Sequence, residues 1–257
     1  MSVVESAKRL TPVPVKRAIV ALLRRAEGLL NCRRTTQEVF ERIYANKKWG
    51  ESGAYFSGEG SGDQTILDAY CDAVTAYVER EGLRGASAVD LGCGDYSVGG
   101  RLRELFGSYT GVDIVPALVN HLNAEHADEQ TRFVHKNLIE DDDLPSGDIA
   151  FLRQVLQHLS NDQIMAIGEK LARYNHVILT EHFPTDRYAK AKNLDKPHGG
   201  DIRLFRGSGV YLDAPPFDAL GLELELLAEV PGHGFSLDRD AGVLQTFAVR
   251  PKRSAGP

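Results

Sequence analysis

The alternation of hydrophobic and polar positions after residue 86 predicts short buried strands separated by amphipathic helices. Each strand is expected to follow a helical stretch, as in a parallel sheet with helices on both faces. Five apolar runs have the length of such strands, and they lie at 88–91, 109–114, 131–134, 149–152 and 177–180. In the tail, leucines and glutamates alternate over 222–226 and 243–249 is again strand-like, which predicts a terminal antiparallel hairpin.

Three amphipathic helices are predicted ahead of these strands, over 15–30, 36–46 and 66–81. Between the second and the third, residues 49–62 combine five glycines with a tryptophan, a tyrosine and a phenylalanine. This mixture of mobility and aromatic surface predicts a lid that closes over a ligand. We therefore divide the chain into a basic N-terminal arm, a helical lid, a core and a tail, with the bounds 1–35, 36–83, 84–250 and 251–257.

Composition is that of an ordinary globular protein. Of 257 residues, 42% are hydrophobic and 26% are charged, and no apolar run is long enough to span a bilayer. The apolar run at 18–23 is not followed by a small-residue cleavage site, so a secretory signal is not predicted. The widely spaced Cys32, Cys71 and Cys93 fit reduced thiols, and we expect a cytoplasmic location.

Positive charge is concentrated at the N-terminus. Residues 1–34 carry eight Lys or Arg and two Glu, a net charge of +6, so the rest of the chain carries −12 to give −6 overall. Because nucleic-acid binding needs a basic working domain, this distribution argues against a nucleic-acid partner. The arm is expected to pack on the domain or on a second subunit as a homo-oligomer, and a helix lying on a membrane surface is the alternative.

The strongest chemical signal is a glycine-rich turn after the first strand of the core. Gly92 and Gly94 let the backbone approach a ligand closely, and Asp113 ends the next strand nineteen residues beyond Gly94. An acidic side chain at that place accepts the hydroxyls of a ribose, so the two features predict a nucleoside site. Ser97 stands where a dinucleotide fingerprint has its last glycine, which disfavours NAD.

Asp90 to Gly94, D-x-G-x-G, resembles the first motif of class I S-adenosylmethionine-dependent methyltransferases. The segments YTGVDIV at 109–115, FLRQVLQHLSN at 151–161 and YLDAPPF at 211–217 extend the resemblance to bacterial sugar and polysaccharide O-methyltransferases, such as those that build methylmannose polysaccharide. The resemblance implies a Rossmann-like, seven-stranded α/β sheet whose last strand is antiparallel. It also implies S-adenosylmethionine (SAM) as the cofactor and S-adenosylhomocysteine (SAH) as the product.

The resemblance further implies where the cofactor binds. The two glycines of the turn would flank its methionine part, Asp113 would hold the ribose, and Asn137 with Leu138 would meet the adenine. The chain departs from the family in two places: Tyr96 replaces the usual third glycine, and Asn137 replaces the usual acid near the adenine. The complete set of implied cofactor residues is Trp49, Ser57, Gly58, Asp90, Gly92, Gly94, Asp113, Ile114, Asn137, Leu138 and Arg153.

Three residues are candidates for the catalytic base. Ser160 and Gln163 form an S-x-x-Q capping box that starts a helix just after Ser160, which leaves His158 in the loop beyond the fourth strand. An imidazole there is expected to titrate near neutrality, so activity should rise as the histidine loses its proton. Glu181 and His182 follow the fifth strand in the same way. Either of them could be the base, or Glu181 could orient His182. The alternatives are that His158 only orients its loop and that Glu181 and His182 end a solvated loop.

The connection 182–217 is too long for an ordinary link between strands and is rich in polar residues, so it is expected to bind the acceptor. The candidate acceptor-binding residues are Gln154, Asn193, Asp195, Asp201, Arg203 and Tyr211. Carboxylates in such a loop could also hold Mg²⁺, but they show no defined ligand spacing, and we predict no metal site.

These features predict a SAM-dependent O-methyltransferase that acts on a small hydroxylated molecule, a sugar or an oligosaccharide. A small-molecule N-methyltransferase is the alternative enzyme, because an amine acceptor needs less help from a base. A catalytically silent SAM-binding regulator, with the basic arm as its interaction surface, is the alternative from another class.

Overall fold

The computed structural model describes residues 12–50, 55–58, 63–232 and 240–252. Its helices are α1 (Val13–Asn31), α2 (Thr36–Ala45), α3 (Gln64–Arg80), α4 (Gly99–Leu102), α5 (Pro116–His126) and α6 (Asn161–Leu171). Its strands are β1 (Ser87–Leu91), β2 (Ser108–Asp113), β3 (Thr131–His135), β4 (Ile149–Arg153), β5 (His176–Phe183), β6 (Leu222–Pro231) and β7 (Val243–Pro251).

The seven strands form one sheet in the order β3-β2-β1-β4-β5-β7-β6. Strands β1 to β5 pair in parallel, and β7 runs antiparallel to both of its neighbours. Strand β1 lies in the middle of the parallel part, where Asp90 is in register with Gly111 of β2 and Phe151 of β4. The predicted Rossmann-like seven-stranded sheet with a final antiparallel strand is confirmed.

Helices cover both faces of the sheet because successive strand residues point to opposite sides. Val89 and Leu91 of β1 join the apolar cluster on the α6 side, whereas Ala88 joins the cluster beneath α3 and α5. Helix α3 contributes Val74 and Val78 to that second cluster, and neither residue is exposed. The core is therefore built in layers around the predicted apolar runs.

One part of the predicted alternation is wrong. No helix precedes β4, since residues 136–148 between β3 and β4 form only turns and extended chain. The acidic run at 140–143 offers no apolar stripe for a helix to bury. Instead, the Lys170 Nζ atom of α6 donates hydrogen bonds to the carbonyl oxygens of Leu138, Ile139 and Asp141, which hold the connection against the domain.

Side chains cap the first turns of helices α2 and α6. Thr35 and Glu38 form a capping box at the beginning of α2, and Ser160 and Gln163 form the predicted one at α6. The Gln163 Nε2 atom also donates to the Thr36 Oγ1 atom at 2.8 Å, so the starts of α2 and α6 are joined directly.

Of the arrangements predicted for helix α1, the structure does not show the one in which its apolar side packs on the domain. Its polar side faces the domain, through an Arg24–Asp201 ion pair at 3.6 Å and an Asn31 Nδ2 bond to the His198 carbonyl oxygen at 3.3 Å. Its apolar side is exposed, with Leu22 at 68% and Leu29 at 66%. In the part of the chain that the structure describes, no helix is long and apolar enough to cross a membrane.

Replacing Ser160 with Ala should lower the free energy of unfolding by about 1 kcal/mol, because the α6 backbone N–H of Gln163 loses its capping oxygen. Urea denaturation followed by circular dichroism measures this change. Ser108→Ala, at an exposed position that starts β2, is the control and should change stability by less than about 0.5 kcal/mol. Equal effects of the two substitutions would show that the cap does not stabilise α6.

Candidate functional site

A cavity with about 1140 Å³ of empty space, part of it open to solvent, lies beyond the carboxyl ends of β1, β2 and β4. Because these strands are parallel, their ends meet at one edge of the sheet, where ligands bind in this class of fold. Gly58 is the one predicted cofactor residue that does not line the cavity. The predicted residues that do line it are Trp49, Ser57, Asp90, Gly92, Gly94, Asp113, Ile114, Asn137, Leu138 and Arg153.

The turn after β1 needs glycine for two separate reasons. Gly92 has a φ of 84° and Gly94 a φ of 55°, in the left-handed region that favours glycine. A Cβ atom on Gly92 would lie 2.5 Å from the Val155 side chain, and one on Gly94 would collide with the Ser57 hydroxyl. The bare backbone at both positions therefore forms the cavity wall.

Tyr96, the departure from the family at the third glycine, also has a left-handed backbone, with a φ of 65°. Its ring packs on Tyr109 and Phe133, with centroids 5.2 and 4.9 Å apart. Aromatic packing of this kind offsets the cost of the strained backbone, so the turn keeps its course without the glycine.

Asp113 ends β2 and is 7% exposed. Its two oxygens accept the backbone N–H groups of Val115 at 3.0 Å and Gly94 at 3.2 Å. A carboxylate has about four lone-pair sites, so two remain for further donors such as hydroxyls. Burial raises the pKa of Asp113 to about 6, which leaves it ionised at neutral pH.

Asp90 is the second carboxylate of the cavity wall. It accepts the Tyr109 hydroxyl at 2.6 Å, and burial raises its pKa to about 6 as well. The other departure from the family, Asn137, accepts the Ile139 N–H at 3.0 Å through its side-chain oxygen. The NH₂ group of Asn137 is thus the part of the side chain that can donate to a ligand.

Residues 55–58 are tied to the glycine turn. The Ser57 N–H donates to the Asp95 carboxylate at 2.9 Å, and the Ser57 hydroxyl accepts the Asp95 N–H at 2.8 Å. The indole N–H of Trp49 donates to the Gly200 carbonyl oxygen at 3.4 Å. The described part of the predicted lid therefore lies on the cavity. Residues 51–54 and 59–62 lie outside the described residues, and closure of the lid stays a prediction.

His158 lines the cavity at the end of a short 3-10 helix after β4. Its Nδ1–H donates to the Gly199 carbonyl oxygen at 3.2 Å, which leaves Nε2 as the acceptor of the neutral ring. The expected titration near neutrality is wrong: burial, followed by the positive charge of Lys196, lowers the pKa to about 3. The imidazole is neutral over the whole physiological range.

Glu181 is fully buried and does not line the cavity. Its carboxylate accepts the backbone N–H groups of Leu156 at 2.8 Å and Gln157 at 3.1 Å, so it holds the 3-10 turn that carries His158. Burial raises its pKa to about 8. Its predicted role as a base does not fit this position.

His182 also lies away from the cavity, on β5, where its Nε2 atom contacts the Ala241 carbonyl oxygen at 2.7 Å. The residue is 6% exposed and faces the β7 hairpin, because β5 continues to Phe183 instead of ending at Thr180. Its predicted catalytic role does not fit this position.

Five of the six predicted acceptor-binding residues do not line this cavity, and Gln154 is the exception. Asn193 accepts the Tyr211 N–H and donates to three carbonyl oxygens, and Arg203 donates to those of Leu194 and Leu159. Long connections carry many backbone polar groups that need partners, so polar side chains there serve the loop itself. The five corrected residues are Asn193, Asp195, Asp201, Arg203 and Tyr211.

The sequence interpretation missed residues of α2 that line the cavity. Thr36, Phe40 and Tyr44 lie four residues apart on one side of the helix. The Tyr44 hydroxyl is 3.3 Å from the Ser57 hydroxyl, and the Phe40 ring is 6.2 Å from the His158 ring. The amphipathic pattern predicted over 36–46 was the signal that could have found them.

Among the residues that the structure describes, no group of three or more His, Cys, Asp or Glu side chains is arranged to hold a metal ion.

Comparison with known families gives a match over residues 89–173 to a model described as a methyltransferase domain. The NodS N-methyltransferase from Bradyrhizobium japonicum WM9, solved with SAH, is 12% identical with a TM-score of 0.53, over 84% of this chain and 98% of that one. The complex of DhpI with SAH is 15% identical with a TM-score of 0.52, over 85% and 97%. None of the curated proteins matches this sequence.

The family match covers the glycine turn, Asp113 and His158, and the structural likeness extends the shared fold to most of the chain. Together they support the class that the D-x-G-x-G motif predicts, a class I SAM-dependent methyltransferase.

Asp113→Asn should weaken SAH binding by about tenfold or more, because a charge-assisted acceptor becomes a neutral amide with half the accepting capacity. Isothermal titration calorimetry at pH 7 measures the dissociation constant. Asp143→Asn, an exposed carboxylate paired with Lys136 outside the cavity, is the matched control and should leave it unchanged. Unaltered affinity in a folded Asp113→Asn protein would remove the ribose assignment.

Proposed function

We propose that this chain transfers the methyl group of SAM to a hydroxyl of a small polar acceptor, a sugar or an oligosaccharide. One observation carries the proposal: the Asp113 carboxylate and the neutral His158 imidazole line the same cavity. We call the part beside Asp113 the cofactor end and the part beside His158 the acceptor end. A nucleoside-binding carboxylate and a proton acceptor on one cavity are what hydroxyl methylation needs.

The cavity wall suits SAM in shape and in charge. The bare backbone of Gly92 and Gly94 leaves room where any Cβ atom would collide with neighbouring side chains. The Asp90 and Asp113 carboxylates are ionised at neutral pH and can accept donors of the ribose and of the sulfonium-bearing methionine part. When bound, SAM supplies an electrophilic methyl group, so the protein needs only to align the acceptor and exclude water.

His158 would receive the proton of the acceptor hydroxyl at Nε2. Its Nδ1–H bond to the Gly199 carbonyl oxygen orients the ring, and Lys196 Nζ donates to the His158 carbonyl oxygen at 3.0 Å, which steadies the backbone. An imidazole with a pKa of about 3 is a weak base, so it can take the proton only as the new carbon–oxygen bond forms.

Aromatic rings beside His158 support a sugar as the acceptor. The Trp49 ring lies 5.2 Å from the His158 ring and 5.9 Å from the Phe40 ring. Such a surface can hold the apolar C–H face of a sugar ring while the hydroxyl edge meets the imidazole. The acceptor end is thus apolar on one side and has a hydrogen-bond acceptor on another.

The weak basicity of His158 favours one alternative, methyl transfer to an amine. A neutral amine attacks through its own lone pair and needs no base before the bond forms. A silent SAM-binding regulator remains the alternative from another class. Incubation with labelled SAM and matched panels of sugars and amines distinguishes the three, since each predicts labelled sugar, labelled amine or cofactor binding without product.

His158→Ala should lower kcat by about 10²- to 10⁴-fold and leave SAH affinity unchanged, because it removes the proton acceptor and no cofactor contact. Steady-state kinetics with the methylated acceptor and calorimetry with SAH measure the two effects. His182→Ala is the comparison variant and should keep its turnover. The assignment fails if His182→Ala loses turnover while His158→Ala keeps it.

The KM for SAM should rise as the pH falls below about 6, whereas kcat at saturating SAM should stay level between about pH 5 and 8. Because the pKa of Asp113 is raised to about 6, Asp113 loses its negative charge below that pH. The pKa of His158 is lowered to about 3, so its ring stays neutral throughout this range. Initial rates across this range test both statements. A kcat that rises through pH 6.5 would assign the base to another group.

A further inference from the structure

Helix α1 exposes an unbroken apolar stripe. Its members lie on one side of the helix by helical spacing, with Ala26 between Leu23 and Leu29. The stripe consists of Val15, Ile19, Leu22, Leu23, Leu29 and Leu30, which are 46% to 68% exposed. Six large side chains in this state form a patch of the kind that marks an interaction surface.

The opposite side of α1 contacts the domain, so the stripe faces away from the domain. Arg24 pairs with Asp201, and its guanidinium lies 3.5 Å from the centroid of the Phe205 ring. Glu27 bonds Lys48 at 2.5 Å, and a Cβ atom placed on Gly28 would lie 3.5 Å from the Pro197 side chain. The helix is therefore anchored to the domain through its polar side, and it cannot bury the stripe without breaking these contacts.

The charges around the stripe are positive. Lys16 and Arg25 lie on its two borders by helical spacing, and Arg33 and Arg34 follow the end of the helix. Residues 12–34 contain six Lys or Arg against the single carboxylate of Glu27, a net charge of +5, and Glu27 is bound to Lys48. The exposed side of α1 thus combines leucines with a basic border.

We propose that α1 binds the surface of an anionic lipid membrane, with the stripe in the acyl boundary and its basic border among the headgroups. An amphipathic helix with Leu on one side and Lys or Arg beside it binds such surfaces in two ways. Its leucines are buried among the lipid chains, and its cations are attracted to the anionic headgroups. The helix lies on the membrane and does not cross it, because its polar side holds the domain.

A second copy of the chain fits the same stripe less well. Pairing two α1 helices through their leucines would bring the Lys16 and Arg25 borders of both copies together. The one carboxylate of the helix is engaged by Lys48, so no acidic partner faces these cations across the seam. Like charges at such borders destabilise helix pairing, whereas anionic headgroups neutralise them.

The proposed membrane surface would lie beside the acceptor end of the cavity. The Asn31 side chain of α1 contacts the His198 carbonyl oxygen, and the next two residues, Gly199 and Gly200, accept bonds from His158 and Trp49. Binding to lipid would therefore bring the cavity close to the membrane. The binding itself depends only on α1 and stands or falls apart from the proposed reaction.

Co-sedimentation of the full chain with vesicles tests the proposal. We expect binding to phosphatidylcholine vesicles that contain phosphatidylglycerol, and weaker binding to pure phosphatidylcholine or at high salt. The double variant Leu22→Glu, Leu29→Glu should bind at least about tenfold more weakly, because it removes two buried leucines and adds negative charge. Both positions are exposed, so its circular dichroism and thermal unfolding should match those of the wild type.

Leu226→Glu is the matched control, since Leu226 is a 52% exposed leucine on β6, away from α1, and should bind as the wild type does. Sedimentation velocity without lipid tests the competing hypothesis, in which a second copy of the chain covers the stripe. A wild-type dimer that the double variant converts to a monomer would overturn the proposal in favour of a second copy. Failure of the wild type to bind anionic vesicles, or equal binding by the folded double variant, would also overturn it.

Discussion

The hydrogen bonds from Asp113 to the turn after β1 are the constraint on which the cofactor end of the cavity depends. The carboxylate at the end of β2 accepts the Gly94 N–H, which holds the turn in its left-handed course across the strand ends. That course places Asp95 within hydrogen-bonding distance of Ser57. The two bonds between these residues hold the segment 55–58 against the turn. Three separate parts of the chain are thus joined by one buried acidic residue.

The acceptor end depends on a different set of bonds. Glu181 holds the backbone before His158, Lys196 bonds the His158 carbonyl oxygen, and Gly199 orients its ring. All three come from β5 or the connection after it, so this connection shapes the acceptor end without lining it. A buried carboxylate and a buried ammonium need such backbone partners, which explains why the polar residues of the connection are turned inward.

The sequence predicted the structure correctly where a single physical requirement determines the type of residue at a position. Buried parallel strands need continuous apolar runs, and a turn with positive φ needs glycine, so the sheet, the turn and Asp113 could be predicted. It was less informative where a polar residue has two uses: Asn193 and Arg203 suit a hydroxyl-rich ligand and a backbone carbonyl equally well. The pKa of His158 could not be predicted either, because burial beneath Phe40 and Trp49 arises from segments far apart in the chain.

The two ends of the cavity are also formed by different segments of the chain. The turn after β1 and the ends of β2 and β4 line the cofactor end and lie within the 89–173 segment that matches the methyltransferase family, whereas Ser57, which bonds this turn, lies outside it. The acceptor end takes Phe40 and Trp49 from α2 and the residues just after it, and its support from Lys196 and Gly199, all outside that segment. The same outer segments hold α1. A family match of this extent therefore supports the methyl donor, whereas Phe40 and Trp49, which belong to the proposed acceptor end, lie outside it.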